Sequence, residues 1–410
     1  MNVLYFDPKF ATARRAAPTR AYAFARHLVE NGHSVTLVAR DMRHLEVAPP
    51  PRRRLLHRER LDGIDVVMLN VPYAQSFSKW QRLLSYGGYT LAATLVGAGL
   101  PRPDVVYASS TPLTVGVTGL LTSRVKRVPF VFEIQDLWPE TAIDLGVLHH
   151  RSEIAAAEWL EHRLYRGAEA IVVCSEPVRE ALLRGGVPAR KLVVIPNVSD
   201  NALFDSAAPN QAYFDSLGLG GRFVALYAGA MGRSNGVLQL ADAARALREQ
   251  GDEDVSIVAL GFGSDRSALE REAVALPNLL VPPPVPRAEV AGIVKAADAT
   301  LTIFAPYESL RTNSPNKLFD SLAAGRPVVV NVDGWLRSIV EDNRAGLYAP
   351  AGDGGAIAAA LVRLARSPEL REELGRNGRA LAEREFDREL LAARLRETLE
   401  EVAGRNGRTR

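Results

Sequence analysis

Val3-Leu4-Tyr5-Phe6-Asp7 and Ser34-Val35-Thr36-Leu37-Val38-Ala39-Arg40 flank a stretch with helical apolar spacing from Thr19 to Asn31. Both short runs are hydrophobic at nearly every position. Strands that read this way are covered on both faces, as in a parallel sheet. Pro18 lies near the helical start and Gly32 just past its end, as helix termini prefer. Strand, helix and strand of these lengths make a βαβ unit.

Reading outward, Asp65–Asn70, Asp104–Ser110, Pro129–Asp136, Ala170–Ser175 and Lys191–Pro196 continue the strand series. The polar, Gly-containing stretch Ser199 to Gly221 reads as a linker. A second series follows at Phe223–Gly229, Val255–Gly261, Leu279–Pro283, Ala299–Phe304, Pro327–Val332 and Gly346–Pro350. Two such series predict an α/β protein of two doubly wound Rossmann-like domains. A chain of 410 residues is long enough for both. Ligands of such sheets bind outside the carboxyl ends of the strands, so a central cleft faced by both domains is the expected site. The tail carries helical patterns at Ala356–Arg366 and, after Asp387 as cap, Arg388–Val402.

Composition is that of an ordinary globular protein, 47% hydrophobic and 24% charged. Cys174 is the only cysteine, so a disulfide within the chain and a cysteine-based metal site are excluded. The first strand begins at once, which predicts no secretory leader and a cytoplasmic protein. Residues 1–60 hold 12 Lys or Arg against 5 Asp or Glu, so an overall +3 hides a basic first segment. That segment suits phosphates, an anionic substrate or a membrane surface, or it is a solvated face. The uncharged run Leu83–Pro101 is too rich in Gly, Ser and Thr to span a bilayer. It reads as a buried helix, with a peripheral contact at the inner membrane face as the second reading, helped by Trp80, Tyr86 and Tyr89. Arg52-Arg53-Arg54 lacks aromatic partners, so nucleic acid is not expected. Asp252-Glu253-Asp254 precedes a strand in a polar loop, and no zinc-type cluster or P-loop occurs, so no metal is expected.

Chemistry concentrates in residues 313–328, Asn-Ser-Pro-Asn-Lys-Leu-Phe-Asp-Ser-Leu-Ala-Ala-Gly-Arg-Pro-Val. Ser314 reads as an N-cap and Pro315 as the first helical residue. A helix start holds an anion through unpaired amides and its dipole. Lys317 in the first turn could join the same anion, and Asp320 one turn on could accept from ribose hydroxyls. A well-capped core helix with a solvated lysine reads equally well.

Residues 316–328 resemble the donor-site helix of family 4 glycosyltransferases, which have the GT-B fold. Val194-Ile195-Pro196-Asn197-Val198 resembles their interdomain boundary. Asp136-Leu137-Trp138-Pro139-Glu140 and Ala108-Ser109-Ser110-Thr111-Pro112-Leu113-Thr114 resemble the branch serving bacterial O-antigen, colanic-acid and capsule assembly, which includes N-acetylfucosamine transferases. The resemblance covers essentially the whole chain. It implies an acceptor-side domain over 1–200, a donor domain over 201–385, and a last helix, 386–410, returning to the first. It also implies retaining transfer from a nucleotide-diphosphate sugar, UDP foremost, with no cofactor or metal. The acceptor would be a glycan or polyprenyl-diphosphate-linked sugar in cell-surface polysaccharide synthesis, with a soluble natural-product acceptor as the alternative.

Several positions depart from the family pattern. Thr312 and Asp320 stand where two glutamates stand eight apart, and Ala230 and Asn235 stand where an Arg and a Lys occur. Gln135 replaces a histidine before Asp136, and Arg14-Arg15-Ala16-Ala17-Pro18 replaces a glycine pair. The resemblance then implies Asp136 and Lys317 as catalytic. It implies Gly229, Arg233, Asn235, Gly261, Gly263, Arg311, Ser314, Pro315, Asn316 and Asp320 around the donor, and Arg14, Arg15, Arg20 and Trp138 at the acceptor. Asp136 lies at a strand's carboxyl end, the place for a catalytic carboxylate, with an N-cap or turn aspartate as the alternative; Trp138 also reads as an interface filler and the arginines as a basic surface loop. Rival readings are an epimerase or hydrolase on the same fold, a phosphorylase-like enzyme, and a non-catalytic nucleotide-sugar-binding homologue.

Overall fold

A computed structural model describes residues 1–10, 20–41, 55–73 and 77–407. Arg14, Arg15, Pro18, Thr19 and Arg52-Arg53-Arg54 lie outside the described residues. The chain forms two compact units. One comprises Met1–Glu140, Leu148–Pro196 and Glu389–Arg410, the other Thr141–Val147 and Asn197–Arg388.

The first unit holds an eight-stranded sheet of β1 (Asn2–Phe6), β2 (Ser34–Arg40), β3 (Leu56–Leu61), β4 (Ile64–Leu69), β5 (Val105–Ser109), β6 (Phe130–Ile134), β7 (Ala170–Val173) and β8 (Leu192–Val194). The order is β3-β4-β2-β1-β5-β6-β7-β8. Every pairing is parallel except β3 with β4. That hairpin was not expected from the sequence. Leu56-His57-Arg58-Glu59-Arg60-Leu61 lacks an apolar run because it is an edge strand, and it turns on Asp62-Gly63, both at positive φ. Helix α1 (Arg20–Glu30) connects β1 to β2, α2 (Lys79–Gly99) leads into β5, and α3 (Thr114–Lys126) connects β5 to β6. Leu4 and Phe6 enter one core layer with Val106, Ala108, Phe130 and Phe132, while Val3 and Tyr5 are buried on the other face. The final helix, Arg388–Gly407, lies in this unit from Glu389, where Arg396 Nη1 donates to Asn31 Oδ1 at 2.8 Å.

The second unit holds six parallel strands, β9 (Phe223–Ala228), β10 (Val255–Leu260), β11 (Leu279–Leu280), β12 (Ala299–Thr302), β13 (Val328–Val330) and β14 (Gly346–Tyr348). The order is β11-β10-β9-β12-β13-β14. Along β9, Phe223, Ala225 and Tyr227 face one buried layer and Val224 and Leu226 the other, as a sheet covered on both sides requires.

Both sheets reverse direction once, between β1 and β5 and between β9 and β12. The carboxyl ends flanking such a reversal leave a crevice that neighbouring connections do not fill.

The linker reading of Ser199–Gly221 is corrected. Asn201–Ser206 and Gln211–Ser216 are helices, and Phe204, Phe214 and Leu219 enter the core beneath β9. Asp200 and Asn210 cap them, and these short polar caps gave the stretch its loop-like composition. A further helix, Pro368–Glu385, was missed: its mostly charged outer face hides Leu374, Leu381 and Ala382 on the buried one. Phe214→Ala should cost about 3–5 kcal/mol in urea unfolding, while Leu203→Ala on the outer face of its helix should stay within about 0.5 kcal/mol. Equal, small effects at both positions would mean that the stretch is a linker after all.

Candidate functional site

In the second unit the reversal between β9 and β12 is occupied by Lys317. The helix that carries it, Asn316–Ala323, begins one residue later than the sequence suggests. Ser314 does not cap it. Ser314 Oγ accepts from Asn197 N–H at 3.1 Å, and the Asn197 side chain donates to Ser314 O. Pro315, extended at the cap position, leaves the first amides without a side-chain acceptor. Asn316 is exposed beside them.

The Lys317 ammonium donates to Tyr227 Oη at 3.0 Å, Asn235 Oδ1 at 3.2 Å and Ile303 O at 3.3 Å. It also lies 4.4 Å from the ring centre of Tyr227 and 4.7 Å from that of Phe304. All three acceptors are neutral. Burial, with no carboxylate to oppose it, lowers its pKa to about 7. The site is therefore a cation whose protons are matched and whose charge is not.

Asn235, at a position where the family carries a cation, instead supplies an acceptor that positions Lys317. Gly229 lies beside the same ammonium: a Cβ there would stand 3.7 Å from Nζ. Gly261 and Gly263 are required for a different reason. Added Cβ atoms would lie 1.8 Å from Gly229 O and 2.3 Å from Met231 O. They let the loop after β10 press on the loop after β9, where Gly229 N–H bonds Leu260 O and Met231 N–H bonds Phe262 O, both at 2.9 Å. Arg233 is exposed. Arg311 does not touch Lys317. It pairs with Glu308 at 3.2 Å and Asp333 at 3.8 Å, lining a separate pocket of about 210 Å³ with Tyr307, Asn331 and Tyr348. Asp320 is partly buried one turn along the helix from Lys317.

Residues that the sequence reading missed hold this edge together. Tyr227 and Phe304 form the aromatic walls. Behind them, Gln239 and Asn331 are buried, and their side-chain amides bond each other and both meet Phe304 O. Gly352 N–H closes the network on Gln239 Oε1 at 2.6 Å. Asn331 lies just past β13 and Gln239 opens the helix Gln239–Glu249, and as buried amides both must find partners.

In the first unit the reversal between β1 and β5 gathers Asp7, Lys9 and Thr111, with Gln135 and Asp136 at the end of β6. Lys9 N–H donates to Asp7 Oδ1 at 2.7 Å, and Lys9 Nζ to Thr111 Oγ1 at 2.5 Å. Gln135 Nε2 donates to Ser109 Oγ at 2.9 Å. Burial raises the Asp7 pKa to about 6 and also raises that of Asp136, with the Lys9 ammonium opposing both. Trp138 is partly buried two residues on. Asp7 and Lys9 were not picked from the sequence, where Asp7 was only the last residue of a strand.

Arg20 is corrected. It is buried, its Nε donates to Glu133 Oε1 at 2.5 Å, Nη2 donates to Ile195 O at 2.6 Å, and Nη1 to Pro196 O. Tyr107 Oη donates to the second oxygen of Glu133 at 2.8 Å. Burial opposes its charge, but the adjoining Glu133 carboxylate outweighs that and raises the Arg20 pKa. All three of its nitrogens are engaged within the first unit, so the guanidinium serves the buried Glu133 and the β8 end of the chain.

Arg20→Ala should therefore lower stability by about 3–5 kcal/mol by stranding Glu133, with Glu133→Gln in the same background restoring part of it. Unfolding curves of the three proteins check this, and an unchanged midpoint for Arg20→Ala would restore the acceptor role. Gly261→Ala should cost about 2–4 kcal/mol and displace the loop that carries Gly229. Its thermal midpoint relative to wild type is the measurement.

Residues 16–198 match the glycosyl transferase 4-like domain, and residues 222–367 match the glycosyl transferases group 1 domain. An alpha-D-kanosaminyltransferase of Streptomyces kanamyceticus is 24% identical over 277 residues, 64% of this chain and 67% of that protein. A phosphatidyl-myo-inositol mannosyltransferase of Mycobacterium leprae is 30% identical over 212 residues, 52% of this chain and 54% of that one. The matched stretches thus span about half to two thirds of these relatives. The fold is similar to Anabaena HepE in complex with UDP-glucose, at a TM-score of 0.69 and 17% identity over 98% of this chain and 100% of that one. The two matches cover every strand except β1, and the chain belongs to the GT-B glycosyltransferases, with a 4-like first half and a group 1 second half.

Proposed function

We propose that this glycosyltransferase is retaining and metal-independent, taking its sugar from a UDP-sugar and passing it to a glycan or lipid-linked acceptor in cell-surface polysaccharide synthesis. One observation carries the donor half. A half-buried ammonium without a carboxylate partner among the described residues stands beside uncapped helix amides at the reversal of the second sheet. A diphosphate supplies the missing charge, and the two groups together do for it what a divalent cation does elsewhere. HepE, which has the same fold, is seen with UDP-glucose, which favours UDP as the nucleotide.

In this reading Lys317 and the amides of the Asn316–Ala323 helix stabilise the leaving diphosphate as negative charge develops on it. The anomeric carbon–oxygen bond to phosphate breaks while the acceptor oxygen forms its bond on the same face of the sugar. The acceptor proton passes to the departing phosphate oxygen, so no enzymic nucleophile is needed. Asp136 and Asp7, with Lys9 between their charges, orient the acceptor hydroxyl. The Mycobacterium leprae relative, whose name carries a phospholipid acceptor, favours a lipid-linked acceptor over a soluble one.

The charge argument has a pH consequence. Free Lys317 loses its proton near pH 7, and a bound diphosphate raises its pKa. Binding therefore takes up a proton in the window above 7. UDP affinity should fall as pH rises from about 7 to 9, approaching tenfold per pH unit, and the terminal phosphate, with a pKa near 6, does not titrate there. Calorimetry in EDTA checks this. Lys317→Arg should flatten the profile, while Lys317→Ala should lower turnover at least about a hundredfold with an unchanged thermal midpoint. UDP binding that is level across this window in the wild type would remove Lys317 from the phosphate site.

A further inference from the structure

Helix α2 buries Ser85, Tyr89, Ala93 and Gly97, four residues apart, against the first unit. The opposite side carries Trp80 at 75% exposure, Leu84 at 76%, Leu91 at 64% and Leu95 at 65%. These repeat at helical spacing over fifteen residues, about 22 Å of helix, in a line of large apolar side chains in water. Helix α3 packs alongside: Thr118 Oγ1 donates to Thr90 O at 3.4 Å, and a Cβ on Gly97 would meet Thr122. It adds exposed Leu121 and Val125 toward the far end. Soluble monomers seldom leave so continuous an apolar strip uncovered.

Charge decides what covers it. Neither α2 nor α3 contains an Asp or Glu. Arg82 lies at one end of the strip, and Arg102, Arg124 and Arg127 at the other, with Arg124 and Arg127 exposed. A second copy of the same face would oppose these cations to one another across a two-fold axis. Anionic headgroups would neutralise them. No described helix is long and apolar enough to cross a membrane. We propose that the α2–α3 face lies flat on an anionic lipid surface, with Trp80, Leu84, Leu91 and Leu95 in the interface and the arginines at the headgroups. This deepens the lipid-linked reading of the acceptor, but the face is remote in sequence from Lys317 and uses none of its contacts.

The test is flotation of the full chain with vesicles of phosphatidylcholine alone and with phosphatidylglycerol added. The wild type should float with the anionic vesicles, and less at high salt. Leu84→Glu with Leu91→Glu should cut the floated fraction at least about tenfold. Arg124→Glu with Arg127→Glu should reduce it to the level of the neutral vesicles. Trp80→Ala with Leu95→Ala, milder changes that keep the helix, should weaken it in the same direction, so the proposal stays testable if the glutamates disturb folding. UDP affinity should match wild type in all of them, which separates this proposal from the donor-site reading. Failure of the wild type to float overturns it, as does undiminished flotation of the variants. So does a wild-type dimer in light scattering that Leu84→Glu with Leu91→Glu splits, because the face is then a self-interface.

Discussion

A half-buried ammonium with no negative partner among the described residues is the constraint on which the second unit depends. Three neutral oxygens and two aromatic faces satisfy the protons of Lys317 and leave its charge unopposed. Such a group is stable only in a frame that cannot relax, since any looser loop would admit a carboxylate or bulk water. The frame is visible. Tyr227 comes from the end of β9, Ile303 and Phe304 from just beyond β12, and Asn235 from the turn after β9. A stored, unpaired cation gives an anionic ligand its largest interaction in a site already organised to receive it.

The glycines and amides around it serve that rigidity. Gly261 and Gly263 permit backbone approaches that no side chain would allow, so the loops after β9 and β10 act as one piece. Gly236, at positive φ, lets its turn close on Ala305, whose N–H bonds Ser234 O. Gln239 and Asn331 then join β13 and the end of β14 to the same edge. Removing a positive charge at position 235, relative to the family pattern, therefore need not empty the site. Asn235 exchanges a second cation for a fixed orientation of the first.

Much of this could be read in the sequence, for identifiable reasons. Buried parallel strands announce themselves as unbroken apolar runs, so all but one strand was legible. The exception, β3, is an edge whose residues obey no burial pattern. The Ser199–Gly221 stretch misled because its helices are only six residues long and open on polar caps, and Phe204, Phe214 and Leu219 are too widely spaced to show a period. Lys317 was legible from its place at a helix start, but its partners were not. Tyr227 and Asn235 come from β9 and the turn after it, Ile303 from just past β12, and only the sheet order brings these two segments to Lys317. Arg20 misled in the opposite way, because a basic residue after a phosphate-type loop looks like a ligand until the buried Glu133 is seen opposite it.

The two sheets share a winding plan and differ in what they place at the reversal. The first gathers carboxylates, Asp7 and Asp136, moderated by one lysine and by the hydroxyl of Thr111. The second gathers a lone cation and helix amides. A shared fold cannot explain opposite electrostatics, so the difference belongs to the sites and not to the architecture. It matches the two halves of a group transfer. A hydroxyl that must surrender a proton is oriented by acceptors, and a diphosphate that must depart with its electrons is stabilised by donors and positive charge. On the proposed mechanism the second unit suits the donor and the first the acceptor. That asymmetry is the physical argument for the proposal that donor and acceptor belong to different units of the same chain.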